Sequence, residues 1–152
     1  MVIDLSTVPV SQGTDYPQPF RAAVDGRSRQ RVGNAAGLTR FGVNLTTLAP
    51  GAQSALRHWH SHQDEFIYVV AGAVTLVTNA GETLLTPGMM AGFVAGVADG
   101  HHLINRSDAI ATYLEIGDRT ANDQATYPDD DLLALPEVDG GQRFVHRSGA
   151  PY

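Results

Sequence analysis

The sequence predicts an all-β domain, a sandwich or barrel of short antiparallel strands, on three observations. From about Thr39 the chain runs as apolar segments of four to nine residues, rich in Val, Ile, Leu, Thr, Phe and Tyr and separated by Gly, Pro, Asn or Asp. No stretch in 32–118 keeps the 3.6-residue apolar period that a helix packed on a core shows. A length of 152 residues with 43% apolar content suits one compact core and leaves little room for a second.

Taken in order, residues 1–31 read as an irregular N-terminal arm, because Pro9, Pro17 and Pro19 break regular structure. The arm lies on the body or on a neighbouring subunit. Residues 32–118 form the barrel. Its segments are FGVNLTTLA, a turn at Pro50-Gly51, SALRHWH, a polar turn SHQD, EFIYVVAG, AVTLVT, a turn at Asn79-Ala80-Gly81, ETLLT, a turn at Pro87-Gly88, MMAGFV, GHHLIN and ATYLEIG. Residues 119–152 are a C-terminal extension packing on the barrel. In it DDLLALPE is expected to make one helical turn before Pro136, and RFVHRSGAPY to return as an edge strand. There is no internal repeat and no low-complexity segment.

Composition removes several function classes. There is no cysteine, so disulfides, thiolate ligands and cysteine nucleophiles are excluded together. All ten basic residues are arginine, which excludes lysine Schiff bases and lysine phosphate binding. A formal charge of −6 and a pI of about 5.3 oppose nucleic acid or an anionic membrane as partner. No apolar run of about 18 residues and no secretory leader pattern is visible, so a cytoplasmic location is expected. Asp129-Asp130-Asp131, with Asp118 and Asp123 near, lack calcium-loop spacing and read as a solvated acidic loop.

The chemistry concentrates in RHWHSHQDEF, residues 57–66. Side chains alternate along a strand, so His58 and His60 share a face with Leu56. If SHQD turns, Glu65 begins the next strand and shares its face with Ile67 and Val69. Two imidazoles and a carboxylate from neighbouring strands can converge on one divalent cation, Fe, Mn, Ni, Co or Zn. A further ligand would come from GHHLIN, which offers His101 and His102. Trp59 and Asp64 alternate away, Trp59 toward sheet packing and Asp64 toward the end of the turn. His62 belongs to the turn, and His146 reads as a surface residue.

These residues resemble the cupin superfamily. Its first motif reads here as Gly51, His58-Trp59-His60, four residues, Glu65, six residues and Gly72, with one extra residue between Gly51 and His58. Its second motif reads as Gly81, five residues, Pro87, and a closing His101-x3-Asn105, with Gly88 directly after Pro87 and ten residues between Met90 and His101. The motifs span 51–72 and 81–105. The resemblance implies a jelly-roll barrel, the double-stranded β-helix, and a metal held by His58, His60, Glu65 and His101, which leaves His102 facing outward. The sequence also resembles a group of small bacterial single-domain cupins, some labelled sugar-phosphate isomerases.

Such a site leaves positions open to water or a substrate oxygen, and a carboxylate that loosens becomes a base, so Glu65 is the candidate catalytic residue. By parity the pocket is lined by Leu56, Ile67, Val69, Phe93 and Leu103, an apolar interior. Arg57 points outward, Arg106 falls past its strand, and Arg40 at a barrel mouth is the remaining cation. The expectation is one metal ion per chain and an enzyme that oxygenates or cleaves a small, partly apolar, oxygen-chelating substrate. Sugar or sugar-phosphate isomerisation comes second, and a non-catalytic small-molecule-binding cupin third. Apolar outward positions Phe66, Tyr68 and Val70 predict a homodimer.

Overall fold

The computed structural model describes residues 1–137 and 141–152. Among them the strands are β1 (Val10–Gln12), β2 (Arg27–Gln30), β3 (Phe41–Leu48), β4 (Trp59–His60), β5 (Glu65–Ala71), β6 (Val74–Thr78), β7 (Gly81–Leu85), β8 (Met90–Phe93), β9 (His102–Ile104), β10 (Ala111–Asp118), β11 (Ala125–Tyr127), β12 (Leu132–Pro136) and β13 (Gln142–Val145). Helix among the described residues is limited to 3-10 segments at Leu5–Thr7 and Gln18–Val24 and one α-turn, α1 (Val32–Ala35). None is long and apolar enough to cross a membrane.

The strands make sheets of six (β1-β2-β3-β10-β5-β8), four (β13-β12-β11-β4) and three (β7-β6-β9) members. From β5 onward the chain passes repeatedly between sheets: β5, β8 and β10 enter the six-stranded sheet, and β6, β7 and β9 the three-stranded one. This alternation makes the jelly roll, and it stacks two inner faces around one core. Leu48, Val69, Val74, Leu103 and Tyr113 meet there, all at 3% exposure or less. Burying each aliphatic side chain of this kind contributes about 1.5–3 kcal/mol.

Two motif residues serve the frame. Gly72 turns β5 into β6 with φ +71°, and a Cβ there would lie 2.5 Å from the Ile110 carbonyl oxygen. Only glycine fits both constraints. Asn105 is fully buried, donates to the carbonyls of Leu48 and Ala109, and accepts from the backbone and hydroxyl of Ser107. It clamps the β9–β10 connection.

Two segments carry more order than their local sequence signals. The N-terminal arm lies on its own barrel: β1 and β2 form a hairpin, and β2 pairs with β3 from Arg27↔Leu48 to Gln30↔Leu45. Across the sheet Arg29, Thr46, Tyr113 and Val69 are successive partners in one row. The helical turn expected in DDLLALPE is instead β12, paired on both sides. Leu132 and Ala134 are fully buried while their neighbours are less so, the period of two that neighbouring strands impose over local preference.

Candidate metal centre

Three local features bring the donors together. His58 lies opposite His101 in an antiparallel bridge, their backbones exchanging hydrogen bonds of 3.1 and 2.8 Å. His60 follows on the same face of β4, and Glu65 opens β5 beyond the turn. The Nε2 atoms of His101, His60 and His58 lie 2.9, 3.6 and 3.7 Å from Glu65 Oε2. Donor atoms of His58, His60 and Glu65 all fall within 4.8 Å of one another, a group that could hold a metal ion.

The outward nitrogens show why the inner ones suit a cation. His58 Nδ1 is 2.8 Å from the Leu56 carbonyl, His60 Nδ1 is 2.6 Å from Asp123 Oδ2, and His101 Nδ1 is 3.3 Å from the Asp99 carbonyl. The acceptors beside His58 and His60 favour a proton on Nδ1 and leave their Nε2 lone pairs facing Glu65, whereas His101 donates from Nε2 to Glu65 Oε2. Lone pairs and a carboxylate gathered this way could be held by a cation between them. Phe93 stacks on His101 at 3.5 Å between centroids and fixes its ring plane.

Electrostatics agree with that arrangement. Burial pushes His58 down to about 4, so at neutral pH it presents a free nitrogen. Burial alone would raise Glu65, but the His101 hydrogen bond and the nearby His58 and His60 outweigh it and hold the carboxyl at about 2. Burial also works against a charged His60, and the Asp123 hydrogen bond with the Glu65 charge reverses that and raises it.

His102 turns the other way, its Nδ1 3.0 Å from the Ala55 carbonyl. His62 is exposed and bonds Ser61. Asp64 accepts the Ala95 amide, tying the 94–100 loop to the SHQD turn. His146 stacks on Tyr152 and pairs with Asp131. Asp123 departs from the solvated reading: it is 6% exposed and holds His60, the His62 amide and the Ser61 hydroxyl. Asn122 before it, at φ 65°, makes the turn that aims it inward. Asp123 lies 63 residues from its histidine and no local spacing announces it.

A cavity of about 330 Å³ opens on His58, His60, Glu65 and His101, at the small end of ligand-site sizes. Ile67, Phe93 and Leu103 line it. Leu56 and Val69 pack instead into the two core clusters; Leu56 lies in the bend before β4, where strand parity does not apply. The interior is not apolar as expected. Arg27, Arg29 and Arg31 enter the wall from β2 and the residue after it, with Tyr16, Tyr113, Tyr127 and Glu115 beside them. The signal was present: RSRQR, residues 27–31, alternates arginine as a strand with one cationic face would. A smaller cavity of about 170 Å³ also reaches His60, Glu65 and His101, walled by Trp59, Val94 and Val97.

An antiparallel jelly roll with two histidines and a glutamate clustered at one mouth is the arrangement of a cupin, and the chain belongs to the cupin superfamily. A cupin-domain family model matches residues 44–117. A sugar phosphate isomerase of the cupin superfamily from Silicibacter pomeroyi is 44% identical over 100% of this chain and 96% of its own, with a TM-score of 0.96. A putative sugar phosphate isomerase from Acidithiobacillus ferrooxidans is 27% identical over 83% of this chain and 80% of its own, with a TM-score of 0.74. A polyketide cyclase from Streptomyces resistomycificus shares the fold at 16% identity, covering 78% of each chain with a TM-score of 0.61. No curated protein matches the sequence.

Proposed function

We propose that the chain is a metal-dependent isomerase or epimerase of a small hydroxylated carbonyl compound of the sugar or sugar-phosphate kind. The observation that carries this reading is the cavity, which joins the metal-type donor set to a wall of tyrosine and arginine side chains. The descriptions of two relatives as sugar phosphate isomerases support it. In this reading His58, His60, Glu65 and His101 would hold one divalent ion, which would supply Lewis-acid polarisation of a carbonyl oxygen. Glu65 takes the proton from the carbon bearing the adjacent hydroxyl and returns it to the former carbonyl carbon. The hydroxyl hydrogen passes to the carbonyl oxygen, so no oxidant is consumed.

Oxygenation or metal-assisted cleavage is the second reading. Ile67, Phe93 and Leu103 favour it, since they make the wall nearest Glu65 apolar. The deciding experiment incubates metal-loaded protein with aldoses, ketoses and their phosphates in deuterated water. Deuterium entering the carbon next to the carbonyl, with an isomer formed and no oxygen uptake, supports isomerisation. Oxygen uptake or a cleaved product overturns it in favour of the second reading, and tight binding without any product overturns both in favour of a binding protein.

We also infer a homodimer through the outward face of β5, where Phe66, Tyr68 and Val70 are 38, 36 and 45% exposed beside Met90 at 54%. Light scattering tests it, and a monomeric mass at micromolar concentration contradicts it.

A further inference from the structure

We infer that the cavity contains an oxyanion subsite, formed by Arg27, the Nε of Arg29 and the Tyr113 hydroxyl, that takes a phosphate or carboxylate group of the substrate. The inference rests on the isomerase reading only for the role of that group; the subsite itself is argued from the geometry of the wall.

Arg27 is 7% exposed, and its two terminal nitrogens donate to the carbonyls of Ser54 and Gly13. Among the described residues no carboxylate lies within ion-pair distance of it. A buried guanidinium that meets only neutral acceptors is costly, and an anion beside it removes the cost. Burial and then the neighbouring Arg29 charge press its pKa down, against smaller opposing pulls from Tyr16, Glu115 and Tyr113.

The acid that could serve is already committed. Glu115 accepts from Arg29, Asn44 and Thr46. That leaves the buried Nε of Arg29 without a hydrogen-bond partner. Tyr113, 1% exposed and in the same row as Arg29 and Thr46, has a buried hydroxyl that meets only Thr46, in a weak contact. Burial keeps that hydroxyl protonated, hence a donor. Buried donors are rarely left unsatisfied. Arg27, Arg29 and Tyr113 line one cavity, and an oxyanion seated among them would give the Arg27 charge a close counter-ion and the Arg29 Nε an acceptor. Phosphate and carboxylate share this chemistry, with the metal end left free for the reacting carbons.

The test is calorimetric titration of the full chain, stripped of metal by a chelator, with inorganic phosphate and separately with acetate. Saturable one-to-one binding that weakens with salt is expected, tighter for phosphate if the substrate is phosphorylated and for acetate if it is a carboxylate. Arg27→Gln is expected to weaken it at least about 10-fold. Tyr113→Phe removes only the buried hydroxyl and its weak contact with Thr46, so it is expected to fold normally and still bind several-fold more weakly. That variant decides the matter if Arg27→Gln does not fold. His60→Ala should abolish metal uptake yet keep saturable anion binding within a few fold, which separates this subsite from the metal reading. Absence of saturable binding by either anion, or binding unaltered by Tyr113→Phe, overturns the proposal.

Discussion

At one end of the cavity the donors come from two short stretches, residues 58–65 and His101; at the other, the cations come from residues 27–31, seated by a strand that pairs with β3. The metal end is thus encoded by spacing, since two histidines on one strand and a glutamate after a turn must share a face. The cationic end is encoded by docking: Arg27 and Arg29 point inward only because β2 joins the sheet in one register. The difference teaches that the donor cluster is read from strand spacing, whereas the cationic wall depends on a segment outside the motif-bearing strands.

Breaking the metal end alone should give the largest effect. Glu65→Gln keeps the side-chain shape and removes the base. Turnover is expected to fall about 10²–10⁴-fold, while phosphate titration is unchanged. Turnover within a few fold of wild type would remove Glu65 from the proton transfer.

Acid is the next lever on the same end. His58 is depressed to about 4, so the metal-free chain should lose stability as pH falls from 6.5 toward 4, on the order of 3 kcal/mol. Glu65, held at about 2, adds a second loss as pH falls from 4.5 toward 2. His60 is raised and works in the opposite sense: its contribution is present below 6.5 and is lost as pH rises through its folded value. Urea midpoints of the metal-free protein should therefore peak near pH 6.5. A midpoint flat between pH 4 and 6.5 would contradict the assignment of His58 as buried and neutral.

A smaller effect sharpens the boundary between the ends. Asp123→Asn retains shape but weakens the hold on His60 Nδ1, and metal affinity is expected to fall about 10–100-fold with anion binding intact. Competition with a metal-indicator dye measures it, and unchanged affinity would make Asp123 a turn residue only. The smallest effect lies at the cationic end. Tyr113→Phe should shift the melting temperature of the ligand-free protein by the equivalent of no more than about 1 kcal/mol, because only a weak contact with Thr46 is lost. A fall of several degrees would mean that the hydroxyl is structurally engaged.

What was legible in the sequence follows the same division. Alternating apolar runs between Gly and Pro turns predicted the strands from β3 to β10, because those strands meet the core with period two. The clustering of His58, His60 and Glu65 was legible by spacing, and the second motif pointed to His101, which meets Glu65 at 2.9 Å but lies outside the group of three that could hold a metal. The expected apolar pocket failed for a physical reason: the wall is completed by a segment whose prolines hid two short strands, and local pattern carries no information on which sheet edge a strand joins. Asp123 failed likewise, since a carboxylate 63 residues away supports His60 through folding alone.

The central claim is that His58, His60 and Glu65 hold a metal ion in this chain. Elemental analysis of protein purified without added metal, then stripped and reloaded, tests it most directly. The account predicts about one equivalent of a divalent transition metal per chain, lost in His60→Ala while circular dichroism stays that of a folded β protein. A wild-type chain that takes up no metal, or a His60→Ala chain that holds it as tightly, would contradict it.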